Sequence, residues 1–412
     1  MKFIIHNPNQ LWYKLTLGNL ISGKSYWKGK YEFFFDYLYQ NNEFVYVYLD
    51  NGNSKKYLER FKLYFKFLLW IKINKLKRKK FKIFYDIKNL EDDFFLFTFF
   101  HLNFSSVEEI NKKRFINFSN ALRHSKVKKI VNLSHYGYNS SIGSINLKNA
   151  EIALLISENN LFRNSLFFNH YFGWYKKDVY QIPYVPQKRF IRKKAFKNRK
   201  NIAMAIGSIT LPIKDSSFKS FFKHEILQPM RLKLFNEKDN HPDLYDCYIS
   251  KVVSKNKNSN PLLTKLKGLL IIYNYIYNKK TESNLSIDRK YHSYDMVDKF
   301  NDYKMFVCPE EIIDLPAIGF VEGMACGTAY FGKLDPMYSD LGMIDKKHYV
   351  GYDGTFEDLL YKIKYYQNNL DELHEIALNG QKFVNQNFNA NSVSSKFMTD
   401  LNKMTLINKN YV

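Results

Sequence analysis

Val307–Lys333 reads VCPEEIIDLPAIGFVEGMACGTAYFGK, and its reading decides the fold of the second half of the chain. The run entering it, Tyr303–Cys308, is apolar and bounded by polar residues, the pattern of a buried strand. A loop, PEEIID, follows. The spacing then predicts a short helix over Pro316–Cys326, ended by Gly327, and a second strand over Ala329–Gly332. Asp314 or a neighbour caps the helix start, and Pro316 suits its first turn. Gly319 and Gly323 fall on one face and leave room for close approach of backbone or ligand. A strand feeding a helix N-terminus is a ready anion site, because free N–H groups point outward there. Glu322 lies within the helix, where a carboxylate can accept hydrogen bonds from two vicinal hydroxyls such as those of a ribose.

Working outward, the same alternation recurs. In the second half, Asn201–Ile206 reads as a strand running into Gly207 and Ser208, with a helix over Gln228–Lys238 and a strand over Leu244–Ser250. Phe356–Asn368 and Leu370–Asn387 read as helices near the end. In the first half, strands are expected at Lys2–His6, Glu43–Asp50, Lys82–Tyr85, Asp93–Phe100, Lys129–Leu133, Glu151–Ile156 and Val179–Val185, with helices between. Strands alternating with helices imply parallel, doubly wound α/β sheets. Pro183, Pro186 and the basic run Gln187–Lys200 break the pattern. The expected division is a first domain over 1–186, a linker over 187–200, a second domain over 201–390, and a tail over 391–412 that can cross back to the first domain.

A chain of 412 residues suggests two or three domains, and 45% hydrophobic residues suffice for two full cores. The three cysteines form no C-x-x-C pair, as in reduced, buried cysteines of a cytosolic protein. The start, MKFIIHNPNQ, reads as a first strand rather than a signal peptide. No apolar run reaches the roughly 18 residues of a membrane span. The net charge of +24 favours a polyanionic partner: anionic lipid, nucleic acid or a phosphorylated substrate. Part of that excess reflects lysine-rich composition on a solvated surface. Lys55–Lys80 is a basic amphipathic helix candidate, in which Phe61, Phe65, Leu68, Leu69 and Trp70 interleave with lysines. Such a helix either lies on an anionic membrane surface or packs its apolar face on the first domain's sheet.

The motif Asp314-x7-Glu322, followed by Gly323-Met324-Ala325-Cys326-Gly327-Thr328-Ala329, resembles the donor-binding segment of GT-B glycosyltransferases of the group 1, E-x7-E type. The likeness is specific from about 300 to 388, including HYVGYDGTFEDLL at His348–Leu360, and architectural before that. It implies two Rossmann-like domains facing across a cleft. It also implies a UDP- or GDP-sugar donor, no obligatory cofactor, no metal, and a glycan or lipid-linked acceptor in surface polysaccharide assembly. By the resemblance, Glu322 holds the nucleotide ribose. Asp314 stands one methylene short of the Glu that contacts the sugar, and Glu310 or Glu311 are alternatives for that role. Gly207, Gly319 and Phe320 fall at the donor site. Lys214 and Arg231 are the candidates for the diphosphate, since Ser208 stands where an Arg is expected. His101, or else His135, ends a first-domain strand where the family places a cleft histidine. Members usually retain anomeric configuration with no established protein nucleophile. The implied setting is cytoplasmic, peripheral to a membrane.

Two rival readings come from other residues. Gly18–Ser25 fits G-x-x-x-x-G-K-S, a P-loop whose Gly23 and Lys24 would cradle phosphates of an NTPase or nucleotide-dependent transferase. The mechanics require a strand directly before and a helix directly after, and Trp27–Lys30 interrupt. The alternative use is a loop facing the cleft that holds acceptor or phosphate. A nucleic-acid binder would suit the charge, but the basic residues are dispersed and no RNP, helix-turn-helix or zinc pattern is present, so no nucleic acid is expected.

Overall fold

The structure is a computed structural model. It describes residues 2–11, 31–52, 56–90, 94–100, 120–133, 140–158, 165–209, 216–251, 270, 273, 296–313 and 315–409. His101, His135, Lys214, Asp314 and the whole of 18–25, with Gly23 and Lys24, lie outside these residues.

The first sheet contains β1 (Lys2–His6), β2 (Val45–Tyr48), β3 (Phe81–Phe84), β4 (Phe94–Phe99), β5 (Lys128–Asn132), β6 (Ile152–Ser157) and β7 (Tyr180–Gln181). Its order is β3-β2-β1-β4-β5-β6-β7, and every pairing is parallel. The second sheet contains β8 (Lys200–Ile209), β9 (Tyr245–Lys251), β10 (Tyr303–Val307), β11 (Ala329–Lys333) and β12 (Val350–Tyr352). Its order is β12-β11-β10-β8-β9, again all parallel. Parallel strands are covered on both faces, which is why they read as unbroken apolar runs such as FFLFTF rather than as alternation. The two-domain α/β architecture expected from the sequence is present.

Each sheet separates two hydrophobic layers. In the first domain, Phe34, Phe35, Phe67, Trp70 and Phe81 pack on one side and Leu96, Val131, Phe168 and Phe172 on the other. In the second, Phe300, Phe306, Phe320 and Tyr330 face Ala203, Val307, Phe331 and Leu359 across the sheet. The helix Ala390–Lys409 lies on the first domain: Phe397 meets Phe34 at 5.2 Å and Tyr180 at 5.1 Å, and Tyr180 donates to Asp400 at 2.9 Å.

Two side chains hold the basic run before β8: Asn301, which accepts from the Lys193 and Lys194 backbone and donates to the Ile191 carbonyl, and Arg199. Buried Arg199 donates to the carbonyls of Lys194, Cys326 and Gly327 at 2.8, 2.9 and 3.0 Å, and to Thr328 Oγ1 at 3.0 Å. Two of those carbonyls end the helix Gly319–Ala325, so the guanidinium supplies donors that the helix terminus lacks.

Local departures from the sequence reading have local causes. Within Lys55–Lys80 the α-helix covers Tyr57–Ile73, and a 3-10 turn follows at Arg78–Lys80. Asn74 turns its side-chain amide back to the Trp70 carbonyl at 2.9 Å, and Lys75 takes a positive φ of 54°, so the helix cannot continue. The helix of the organising stretch starts at Gly319, three residues after Pro316. Strand β12 is three residues long, too short for periodicity to reveal. Among the described residues no helix is long and apolar enough to cross a membrane. Cys308 and Cys326 are buried, Cys247 is half-buried, and all three are free thiols.

Candidate active site

The second sheet reverses its winding between β8 and β10, since β9 lies on one side of β8 and β10, β11 and β12 on the other. Ligands of such sheets bind outside the carboxyl ends of the strands at this reversal. Gly207 and Ser208 of β8, and Cys308 to Glu311 after β10, occupy that edge.

Arg231, from the helix Pro229–Asn236, closes the seam between the two strand ends. Its Nε donates to the Pro309 carbonyl at 2.8 Å and its Nη1 to the Ser208 carbonyl at 3.1 Å. The side chain is only 5% exposed. No carboxylate among the described residues pairs with it, and its Nη2 donors have no partner there. The guanidinium thus brings to the seam a positive charge that forms no ion pair among the described residues. Gly207 makes the placement possible. A Cβ there would stand 2.9 Å from Arg231 Cδ, and its φ is +136°.

Glu322 is on the helix behind β10 and is 7% exposed. No donor among the described residues reaches its carboxylate. Burial pushes its pKa up to about 8, with the Arg189 charge pulling the other way. Cys308 lies between these groups. Burial raises its thiol to about 12, Arg231 opposes the rise, and Glu310 and Glu322 add to it.

The other acidic candidates differ in kind. Glu310 is enclosed by tyrosines. Its Oε1 accepts from Tyr330 at 3.1 Å, from Tyr338, and from the Lys333 backbone at 3.0 Å, while Oε2 accepts from Tyr352 at 3.4 Å. These bonds make it a structural hub. Glu311 keeps one oxygen on Gln228 at 2.8 Å, and its other, buried oxygen has no partner among the described residues. Its backbone N–H bonds the Leu315 carbonyl at 2.8 Å, pinching the loop that carries Asp314 in sequence.

The glycines and Phe320 serve packing. A Cβ on Gly319 would meet Cys308 Sγ at 3.1 Å, and one on Gly323 would meet Phe306 Cζ at 2.4 Å. Both glycines therefore let the helix lie close on β10. Phe320 is fully buried against Tyr330 and Tyr338 at 5.7 and 5.5 Å.

The first domain meets this edge. Ile313, Leu315 and Leu227 join the core cluster that contains Phe168, Phe172 and Tyr175. At the ends of β5 and β6, Asn132 donates to the Tyr31 hydroxyl, and Glu158 faces Tyr31 and Tyr184. Burial first, and then the Glu158 charge, raises both phenols well above ordinary tyrosine. Tyr184 also feels Glu311 and Arg231, so it spans the two domains. No local pattern marks Glu158, Tyr31 or Tyr184, because Tyr31 lies more than a hundred residues from Asn132, Glu158 and Tyr184 in the chain.

The first sheet reverses between β1 and β4, and His6 sits there. Asn7 Oδ1 accepts from the Asp50 backbone at 3.1 Å, which directs Asn7 Nδ2 to His6 Nε2 at 3.1 Å. The ring proton is then on Nδ1, which reaches Thr98 Oγ1 at 2.9 Å. Burial lowers the His6 pKa to about 3, so the ring is neutral.

No family model matches the sequence, and no curated protein matches it at a significant level. Solved structures do match in shape. Anabaena Alr3699/HepE in complex with UDP aligns at 10% identity over 98% of this chain and 100% of that one, with a TM-score of 0.50. The chain has the GT-B fold. A glycosyltransferase from Rickettsia africae aligns at 12% identity over 98% of both chains, with a TM-score of 0.47. Sucrose-phosphate synthase from Thermosynechococcus elongatus aligns at 10% identity over 99% of this chain and 100% of that one, with a TM-score of 0.49. At these identities the likeness is one of fold. Arg231, Glu311 and Tyr184 stand near the carboxyl ends of the strands, and Glu322 is on the helix that follows β10.

Proposed function

We propose that this protein moves a glycosyl group from a nucleotide-sugar to a glycan or lipid-linked acceptor. The observation that carries the reading is Glu322: a buried carboxylate, unpartnered among the described residues, on the helix that follows β10 of a GT-B second domain. A carboxylate in that place gains two charge-assisted hydrogen bonds from the ribose hydroxyls of a nucleotide. Arg231 faces the developing charge of the departing diphosphate, and fixed donors at such a point lower the barrier. The bond from the anomeric carbon to the diphosphate oxygen breaks, the acceptor oxygen takes its place, and the acceptor's proton is released. Uridine is the favoured base on the strength of the UDP bound to the Anabaena protein, and GDP-sugars stay within the proposal. Asp314 and His101 are proposed, from the motif and from strand position in the sequence, to face the sugar. Surface polysaccharide assembly on the cytoplasmic side is the proposed setting, by the sequence resemblance.

The test is release of nucleoside diphosphate from a panel of UDP- and GDP-sugars, with and without glycan acceptors. Slow hydrolysis of at least one donor by the wild type is expected. Absence of turnover together with no shift in melting temperature for any member of the panel would overturn the reading, because a ligand of the native state raises the melting point.

A further inference from the structure

The helix Tyr57–Ile73 has two apolar faces, and among the described residues only one is covered. Leu63, Phe67, Trp70 and Ile71 recur at helical spacing and are buried, with Trp70 against Phe35 at 5.3 Å. Trp70 therefore belongs to the core and not to an outer stripe. The opposite face carries Tyr57, Leu58, Phe61 and Phe65, which are 88, 63, 60 and 60% exposed. At 100° per residue these four fall within a third of a turn of one another, and half-buried Leu68 and Leu69 extend the same stripe. Single exposed apolar residues are ordinary, but a contiguous stripe of large ones marks an interaction surface.

Charge selects the partner. Lys62, Lys66 and Lys72 are exposed along the stripe, and Lys75, Lys77, Arg78 and Lys79 are exposed just beyond the helix. Glu59 is the single acid between 56 and 80, and it is already paired with Lys62 at 2.9 Å. Apolar rings flanked by lysines match the layering of an anionic bilayer, with acyl chains beneath a sheet of phosphate. A nucleic acid would use the lysines but leave Leu58 and Phe61 without a role on a convex helix that offers no groove.

We infer that the outer face of Tyr57–Ile73 docks the protein on an anionic lipid surface. The helix begins just past the carboxyl end of β2, so Tyr57, Leu58 and Phe61 stand at the edge of the first sheet where its ligand-facing strand ends lie. Docking there brings the first domain's mouth to the lipid headgroups, as an acceptor held in a membrane requires. The docking is independent of the donor chemistry.

The test is flotation of the full chain with phosphatidylglycerol-containing vesicles and with pure phosphatidylcholine vesicles. Two variants accompany the wild type: Phe61→Ser with Phe65→Ser, and Lys62→Gln, Lys66→Gln and Lys72→Gln together. These side chains face solvent, so melting temperature and circular dichroism should match the wild type and separate lost docking from lost fold. The wild type is expected to float with anionic vesicles only and to lose binding at high salt, with each variant retaining about a tenth of it or less. The inference is overturned if the wild type ignores anionic vesicles at low salt, or if the phenylalanine variant floats like the wild type. It is also overturned if a DNA duplex at equal phosphate strips the protein from vesicles, or if the substitutions instead abolish self-association of the protein.

Discussion

Arg231 lies across Gly207, so that a Cβ at position 207 would stand 2.9 Å from Arg231 Cδ. The guanidinium is held at both ends, by Pro309 and Ser208, and cannot swing away without breaking a buried hydrogen bond. Gly207→Ala thus meets both a positive φ of 136° and a fixed neighbour. The expected cost is about 2–3 kcal/mol of unfolding free energy, measured by urea denaturation. Arg231→Ala leaves two carbonyls unsatisfied at the seam and is expected to cost about 2–3 kcal/mol.

Gly323→Ala tests the packing role of the organising helix. The new methyl would stand 2.4 Å from Phe306 Cζ and 2.7 Å from Phe300 Cε1, both in the core. Overpacking is expected to cost about 1–3 kcal/mol and to lower the melting temperature. A neutral result would mean that the helix can lift from β10 freely.

Arg199 should be critical to the joint between linker and second domain. Arg199→Ala leaves the carbonyls of Lys194, Cys326 and Gly327 without their donor. A loss of about 3 kcal/mol or more is expected. Lys at this position restores at most part of it, since an ammonium cannot reproduce the planar fork. Denaturation midpoints of the two variants give the comparison.

Two buried groups give stability opposite slopes with pH. Glu322 has a folded pKa of about 8 against an ordinary 4.5, so the native state holds a proton that the unfolded chain has released. Its contribution is fully present below pH 4.5 and is lost as pH rises toward 8. His6 has a folded pKa of about 3 against an ordinary 6.5. Its contribution is present above pH 6.5 and is lost as pH falls toward 3. Glu322→Gln is expected to gain about 2–4 kcal/mol relative to wild type at pH 8 and little at pH 5. His6→Ala is expected to flatten the acid limb. Melting temperatures taken from pH 4 to 9 check both signs.

The fold was legible because its signals are local. Strand β1 and the helices Phe356–Asn368 and Leu370–Asn387 have the limits read from the sequence, since each has an unbroken apolar run or a clean helical period. A candidate donor residue could be named only where one residue type implies one chemistry, as with the carboxylate of Glu322 inside its helix. Spacing puts Gly319 and Gly323 on one face and allows close approach of backbone or ligand there, but it does not say which face meets the sheet, and both glycines pack against core side chains. Phe61 and Trp70 are nine residues apart, which at 100° per residue puts them on opposite helix faces, and the fold sets one in solvent and the other in the core. Ile313 and Leu315 looked like loop residues, and they are the second domain's anchor in the first. Such contacts depend on how the domains meet, which no local pattern encodes.

The account rests on Glu322 and Arg231 forming one nucleotide site, and calorimetric titration of UDP into wild type, Glu322→Ala and Arg231→Ala measures this directly. The account predicts that wild type binds UDP with an affinity that improves as pH rises from 6 to 8, because hydroxyl donors stabilise the ionised form of Glu322 and binding then releases its proton. It predicts a loss of about 2–4 kcal/mol of binding free energy in Glu322→Ala and of similar size in Arg231→Ala. Equal UDP affinity in all three proteins, with no dependence on pH, would contradict it.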